Sequence, residues 1–214
     1  LPEEGYFEEV RKICDENEIL FISDEVICGF GRTGKNFGME QFGIVPDIIT
    51  MAKGITSGYA PLGGMVISEK LHQELVEKTE GNFWHGYTYS GHPTAAVVAL
   101  KNLEIIQKEN LIDNVNNMGK YMLECFHSLK AQHEQIINVR GIGLLGAITF
   151  ERKDGQDPIT PKIVQEAVKR VSICRSVIYD GQDTLAFAPP FIITKEEIDL
   201  MIEIVDESIK AVLK

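Results

Sequence analysis

The chain has 214 residues, of which 44% are hydrophobic and 25% are charged, and its formal net charge is −11. These apolar residues suffice for a sizeable core, which excludes a disordered chain. The negative charge argues against nucleic acid or an anionic membrane surface as a partner, because both require a basic surface. No apolar run is long enough for a membrane span and no signal peptide is visible, so we expect neither.

The first part of the chain alternates helical patterns with short apolar runs. Apolar residues recur on one face of segment 5–17, which predicts an amphipathic helix there. Three strands are predicted next, at 19–23 (ILFIS), 47–52 (DIITMA) and 65–68 (MVIS). The first two are continuous apolar runs, which is typical of strands buried on both faces of a parallel sheet. Strands that alternate with helices and Gly-rich loops indicate an α/β fold.

The rest of the chain is predicted to contain longer helices and shorter, mixed strands. Helices are expected at 68–78 with Ser68 as N-cap, at 93–107, 109–133 and 158–172, and at 195–212 with Thr194 as N-cap. Strands are expected within 139–151 and at 176–179 and 184–188. We place a boundary at the long helix: residues 1–109 are expected to form part of an α/β domain, and 110–214 an α+β C-terminal domain.

The cysteines and histidines give no sign of a metal site. The four cysteines, Cys14, Cys28, Cys125 and Cys174, form no C-x-x-C pair. We interpret them as free thiols, which favours a reducing cytoplasm as the location of the protein. The histidines show neither H-x-x-x-H nor H-E-x-x-H spacing, so we expect no bound metal.

Two charged residues follow predicted strands at their C-terminal ends. Asp24 comes directly after the first strand and Lys53 after the second, and a Gly-rich loop follows each of them. Ligands of open α/β sheets bind at this edge, although each residue taken singly could instead mark the point where its strand meets water. Glu25 and Lys35 are interpreted as solvated or ion-paired residues.

An aspartate paired with a lysine is the combination that pyridoxal phosphate chemistry requires. A carboxylate that faces the pyridine nitrogen keeps this nitrogen protonated, so the ring withdraws electrons and stabilises a carbanion on the substrate. A lysine that forms a Schiff base must lose its proton, which burial in a low-dielectric site favours. Spacing alone is weak support, since any two strand ends place a pair of residues in this way.

The motifs of residues 21–68 resemble the signature region of the class III (ω-amino acid) aminotransferases. D-E-V, G-F-G-R-T-G-K, P-D-I, A-K-G and A-P-L-G-G occur in order, and Lys53 follows Asp24 by 29 positions, which fits that family. HGYTYSGHP at 85–93 and APPFIIT at 188–194 are similar to two further family motifs. The resemblance implies the fold of aspartate aminotransferase, fold type I of the pyridoxal-phosphate enzymes, with a partial large domain and an α+β C-terminal small domain.

The resemblance also implies roles for individual residues. Asp24 would pair with the pyridine nitrogen of pyridoxal 5'-phosphate, and Val26 would pack on the face of the ring. Lys53 would bind the cofactor as a Schiff base and then transfer the proton. Thr88, with Tyr87 beside it, would bind the cofactor phosphate of a neighbouring subunit. A homodimer or larger assembly with a shared active site is therefore expected.

Recognition of the substrate carboxylate departs from the family pattern. Many members have an Arg about ten residues before the Pro-Pro pair that binds this carboxylate bidentately. This chain has Tyr179 at that distance from Pro189, and Arg175 lies nearby on a different register. A tyrosine hydroxyl donates one hydrogen bond and carries no charge. Tyr179 is thus the candidate substrate residue, which leaves open a substrate other than the simple amino acids.

Together these features predict transamination, in which an amino group moves from an ω-amine or amino-acid donor to a 2-oxo acid such as pyruvate. The run FWHGYTYSGHPT resembles ω-amine and taurine:pyruvate transaminases in particular. Family enzymes are longer, so the chain resembles their C-terminal half, cut from a longer protein. Two alternatives stay open: a truncated remnant that folds and self-associates without catalysis, and a decarboxylase or aminomutase on the same scaffold.

Overall fold

The computed structural model describes residues 1–152 and 155–213. The chain divides into two compact units, one formed by Pro2–Ile112 and the other by Asp113–Lys214 together with Leu1. Each unit has its own sheet, with three strands in the first and four in the second. Within the described residues, no helix combines the length and the apolar character needed to cross a membrane.

The first unit contains three helices and a small mixed sheet. Its helices are α1 (Tyr6–Glu16), α2 (Glu69–Lys78) and α3 (Pro93–Lys108), and its strands are β1 (Ile22–Asp24), β2 (Ile48–Met51) and β3 (Gly64–Ile67). Strand β1 pairs with β2 in parallel, and β3 pairs with β2 antiparallel, which gives the order β1-β2-β3. The C-terminal ends of β1 and β2 therefore lie at the same edge of the sheet.

The strands of this sheet are more exposed than the sequence predicted. The parallel pairing of the first two strands is confirmed. Burial on both faces is wrong for this chain: Ile22 in β1 is 55% exposed, and β2 is only partly buried along its length. A strand is buried on both faces only where a second layer packs on each face. Here the apolar side chains that such layers would cover remain in contact with solvent.

The second unit packs three helices on an antiparallel sheet. Its elements are α4 (Leu111–Gln132), β4 (Ile136–Ile142), β5 (Leu145–Phe150), α5 (Thr160–Lys169), β6 (Arg175–Tyr179), β7 (Gln182–Phe187) and α6 (Lys195–Val212). The strand order is β4-β5-β7-β6, and every pair is antiparallel. Helix α4 buries Val115, Met122 and Phe126, which the helical spacing places on one face. The core around them also includes Leu144, Ile148, Ile163, Leu185, Ile198, Val205 and Ile209.

Both helix caps predicted from the sequence are present. The Ser68 hydroxyl accepts a hydrogen bond from the Leu71 amide at 3.4 Å and starts α2. Thr194 and Glu197 form a reciprocal capping box at the start of α6, with the Thr194 amide donating to Glu197 Oε2 at 2.8 Å. These local signals define the two helix starts because each involves residues only three positions apart.

Helix α4 approaches the β4–β5 turn so closely that only glycine fits at the contact. A Cβ atom placed on Gly119 would lie 2.2 Å from the carbonyl oxygen of Gly143 and 2.5 Å from its carbonyl carbon. Both are backbone atoms and have no rotamer to change. Gly143 itself has a φ of 53°, in the region that favours glycine. A pair of glycines therefore sets the distance between helix and turn.

We expect Gly119→Ala to lower the free energy of unfolding by about 3 kcal/mol, because helix and turn must move apart. Helix propensity alone would raise it by about 1 kcal/mol, so the sign of the change separates the two effects. Urea unfolding followed by circular dichroism measures it. The matched change Ser128→Ala, on the exposed face of the same helix, should stay within about 0.5 kcal/mol. An alanine at position 119 that leaves stability unchanged would contradict the close contact.

Candidate active site

The register of β1 and β2 places three polar residues at one edge of the sheet. Asp24 is the last residue of β1, and Thr50 lies directly opposite it in β2. The Thr50 hydroxyl donates to Asp24 Oδ1 at 3.3 Å, and the Val26 amide donates to the same oxygen at 3.1 Å. Lys53 follows just after the end of β2. Asp24 and Lys53 thus come from the C-terminal ends of neighbouring parallel strands, where ligands of such sheets bind.

Lys53 begins a short 3₁₀ turn, Lys53–Ile55, with an unusual backbone conformation. Its φ is 41°, a left-handed value that a residue with a side chain rarely adopts. The lysine side chain is exposed, so the burial that we expected around its amine is not present. The amide of Asn102, on α3, donates to the carbonyl oxygens of Gly54 at 2.8 Å and Ile55 at 3.2 Å. A helix distant in sequence therefore holds the turn that carries the lysine.

Glu25 is a buried residue, and its interpretation as a solvated or ion-paired group is wrong. It is 1% exposed, although it stands between Asp24 and Val26. Its carboxylate accepts hydrogen bonds from the amides of Gly38 at 2.7 Å and Met39 at 2.9 Å, and a third from the Ser23 hydroxyl at 3.2 Å. It thereby ties the far end of the Gly-rich loop back to the end of β1.

One signal in the sequence could have pointed to this role of Glu25. Gly38 closes the Gly-rich loop, and a Cβ atom there would lie 2.9 Å from Cys28 Cβ and 3.1 Å from Glu25 Oε2. Only a residue without a side chain lets both amides reach the carboxylate. A glutamate that directly follows a predicted strand and precedes a Gly-rich loop is a candidate loop anchor. The distance of 13 positions to Gly38 hides that pairing from local pattern analysis.

The electrostatics at this edge keep the nearby thiol neutral. Burial raises the pKa of the Cys28 thiol, and the carboxylates of Glu25 and Asp24 raise it further. Burial also lowers the pKa of the Arg32 guanidinium in the same loop. A thiol with a raised pKa stays protonated at neutral pH. Cys28 is therefore not a candidate nucleophile at this edge.

The predicted phosphate-binding residues lie in an exposed segment between α2 and α3. Residues 82–92 are all exposed, including the aromatic side chains of Phe83, Trp84, Tyr87 and Tyr89. A local turn closes on itself here: the Tyr87 amide donates to Ser90 Oγ, and the Ser90 amide to the Tyr87 carbonyl, each at 2.9 Å. Thr88 lies at the centre of this turn, in contact with solvent.

The β6–β7 hairpin of the second unit carries both candidates for binding a substrate carboxylate. Tyr179 lies opposite Gln182 at the tip of the hairpin and is 78% exposed. Arg175 lies opposite Ala186, which precedes Pro189 by three positions. Counting along the chain had placed Tyr179 at the family's position. The pairing across the hairpin instead sets Arg175 opposite the end of β7, the strand that leads into the Pro-Pro pair.

The described residues contain no group of three or more His, Cys, Asp or Glu side chains arranged to hold a metal ion. All four cysteines are free, but only Cys174 is fully buried. The candidate chemistry at the sheet edge therefore comes from one carboxylate, one amine and the backbone groups that orient them.

Comparison with known proteins, by sequence and by structure, finds aminotransferases in both cases. A family model described as "Aminotransferase class-III" matches residues 1–209. Taurine–pyruvate aminotransferase of Bilophila wadsworthia is 37% identical, over 99% of this chain and 49% of that protein. Omega-amino acid–pyruvate aminotransferase of Pseudomonas putida is 35% identical, over 100% of this chain and 47% of that protein.

A solved structure of a transaminase from the marine bacterium Virgibacillus superposes with a TM-score of 0.95 at 44% identity, and covers 99% of this chain and 49% of that one. This likeness confirms the predicted α/β fold of the aspartate-aminotransferase type, of which the chain contains a part. The chain spans about half the length of the relatives that it matches.

We expect Glu25→Gln to lower the free energy of unfolding by about 2 kcal/mol, because the NH₂ group of the glutamine faces a donor and at least one of the three hydrogen bonds to the carboxylate is lost. Hydrogen exchange should quicken first at the Gly38 and Met39 amides. The matched change Glu40→Gln alters a cap to the Phe37 amide on the exposed side of the same loop. It should cost less than about 1 kcal/mol. Equal losses for the two variants would contradict an anchoring role for Glu25.

Proposed function

The chain belongs to the class-III aminotransferases, and we propose that it carries the lysine and the ring-binding carboxylate of a pyridoxal-phosphate-dependent transamination. The amino group would move from an ω-amine or amino-acid donor to a 2-oxo acid such as pyruvate. One observation carries the proposal: Asp24 lies opposite Thr50 in the β1–β2 register, and Lys53 follows two positions after the end of β2.

The donor set at the sheet edge fits pyridoxal phosphate. Both hydrogen bonds that the described residues make to the Asp24 carboxylate go to Oδ1. Oδ2 of this exposed carboxylate is left to face a protonated ring nitrogen. Two bonds on one oxygen also hold the carboxylate plane in a single orientation. Thr50 and the Val26 amide therefore position Asp24 for a partner on its other side.

The chain supplies the groups that hold the cofactor and move a proton. When bound, pyridoxal phosphate supplies an electron-withdrawing ring that stabilises negative charge at the substrate carbon. Asp24 would keep the proton on the ring nitrogen, and Val26 would contact the face of the ring. The Lys53 amine would hold the cofactor at its aldehyde carbon and, once released, carry a proton to and from the substrate.

Support for an ω-amine or taurine-like donor comes from two relatives named taurine–pyruvate and omega-amino acid–pyruvate aminotransferase. Pyruvate is the acceptor in both names. The four free thiols favour action in the cytoplasm. A decarboxylase or aminomutase on the same scaffold would use the same Asp24 and Lys53, so only product analysis separates these reactions from transamination.

A shared active site would use the exposed aromatic segment 82–92. We propose that Thr88, with Tyr87 beside it, reaches the cofactor phosphate of a second copy of the chain in a homodimer. The exposure of the whole segment supports this proposal, since a buried turn would be unable to reach a neighbour. Exposed aromatic side chains are also typical of surfaces that bind another protein.

Reductive trapping tests the lysine directly. We expect pyridoxal phosphate with borohydride to modify Lys53 faster than Lys35 in the neighbouring loop, because only Lys53 lies at the ligand-binding edge. Peptide mass analysis locates the modification. Asp24→Asn should weaken cofactor binding about tenfold or more, because a neutral amide no longer favours a protonated ring nitrogen. Equal modification of the two lysines would contradict the proposed function.

Spectroscopy distinguishes the inactive alternative. A transaminase should show a cofactor absorbance band that bleaches with an amine donor and returns with pyruvate. A chain that binds the cofactor at Lys53 but gives no such cycle would be the inactive remnant. Carbon dioxide release without a new oxo acid would indicate decarboxylation instead.

The hairpin register generates a separate prediction about the substrate carboxylate. We propose that Arg175, rather than Tyr179, binds it, because a guanidinium offers two parallel donors and a charge. In the active protein, Arg175→Ala should raise the KM for pyruvate about tenfold or more and leave the KM for a carboxylate-free amine within about twofold. Tyr179→Phe is the matched control and should change neither. The reverse result would assign the role to Tyr179.

A further inference from the structure

The side chain of Asn102 makes contacts that neither the fold nor the candidate chemistry accounts for. It lies on α3, and its amide nitrogen donates to the backbone carbonyl oxygens of Gly54 and Ile55, at 2.8 Å and 3.2 Å. These partners precede it by 48 and 47 positions, and the contacts are partly buried. Gly54 and Ile55 directly follow Lys53 in the chain.

The turn that Asn102 contacts is held in a conformation that its own residues disfavour. Lys53 has a φ of 41° and Ser57 a φ of 52°, and neither is a glycine. Left-handed conformations at such residues persist only where surrounding contacts over-determine them. The backbone bonds within the turn lie at or beyond the upper limit of the usual range: the Thr56 amide donates to the Lys53 carbonyl at 3.2 Å, and the Ser57 amide to the Gly54 carbonyl at 3.4 Å.

The turn also contacts the Gly-rich loop. A Cβ atom on Gly54 would lie 3.2 Å from the Gly29 carbonyl oxygen and 3.3 Å from Phe30 Cβ. Glu25 anchors this loop to β1, as described above. The lysine turn is therefore in contact with both the anchored loop and Asn102. The close approach of the loop limits where the turn can move, and the two amide bonds of Asn102 restrain its backbone carbonyls.

We infer that Asn102 is a positioning residue, which fixes the backbone of the turn that carries Lys53. This inference rests on the proposed function, since it matters for catalysis only if Lys53 holds the cofactor. Strand pairing already fixes Asp24 and Thr50. Lys53 stands outside the strand, so its place depends on the turn, and the turn depends on Asn102.

The chemistry of the side chain explains why an asparagine suits this position. A primary amide has two donor protons on one nitrogen, so it can serve two carbonyl oxygens at once. An aspartate has the same shape but no proton to donate, and its charge would repel both carbonyls. Alanine removes the contact without adding repulsion. Asn102→Asp and Asn102→Ala thus separate the loss of the bonds from a change of shape.

The chain offers a matched control in Asn114. This asparagine lies on α4, and its amide also donates to two backbone carbonyls, those of Phe191 at 2.6 Å and Ile193 at 3.1 Å. Asn114→Ala removes the same pair of bonds from the other compact unit. A general loss of stability would appear in this control, whereas an effect on the lysine turn would not.

Hydrogen exchange of the chain without cofactor decides the inference. We expect the Thr56 and Ser57 amides to exchange about tenfold faster in Asn102→Ala and Asn102→Asp, because opening the turn no longer breaks two bonds. Asn114→Ala should leave both amides unchanged. Exchange within about twofold of the unmodified chain, or faster exchange spread evenly over β1, β2 and β3, would overturn the positioning role.

Trapping with pyridoxal phosphate and borohydride links the turn to the lysine. The rate at which Lys53 is trapped should fall at least about fivefold in both Asn102 variants. In Asn114→Ala it should equal the rate in the chain without substitutions. If Lys53 is not trapped faster than Lys35 in the chain without substitutions, the proposed function fails. The exchange data then still test whether Asn102 holds the turn. If Lys53 is preferred and the Asn102 variants are modified equally fast, the positioning role is overturned and the proposed function stands.

Discussion

The parallel pairing of β1 with β2 is the constraint on which the candidate site depends. Backbone hydrogen bonds between two short strands set Asp24 opposite Thr50, and this register gives the carboxylate its hydroxyl donor. It also brings Lys53, two positions after the end of β2, to the same edge. A slip of one position would turn the Asp24 side chain to the other face of the sheet. The chemistry of the site is therefore specified by main-chain pairing before any side chain takes part.

The two segments that leave this edge are each held by a side chain that is distant in sequence from the backbone groups it binds. Glu25 binds the amides at the end of the Gly-rich loop, and Asn102 binds the carbonyls of the lysine turn. A buried carboxylate is tolerated because three donors surround it. Glu25 provides acceptors for backbone amides, and Asn102 provides donors for backbone carbonyls. Loops rich in glycine cannot fix their own conformation, so their order must come from such contacts.

Local sequence patterns predicted the elements well, and long-range pairings poorly. The helix caps at Ser68 and Thr194 and the buried face of α4 follow from spacings of three or four residues, and each is confirmed. The strand ends that carry Asp24 and Lys53 were placed by the same means. Glu25 and Asn102 were missed because their partners are many positions away. The β6–β7 register, which sets Arg175 opposite Ala186, is a pairing across two strands that counting along one strand does not reveal.

The exposed first sheet has a consequence for how the chain behaves in concentrated solution. Strand β1 forms one edge of the sheet, and apolar side chains such as Ile22 and Val66 stand half in solvent. An open strand edge beside apolar surface is a template for further strands. Charge works against such contacts, and 32 acidic residues against 21 basic ones give every copy the same sign. Salt screens that repulsion, so copies of this chain on its own should associate more readily as ionic strength rises.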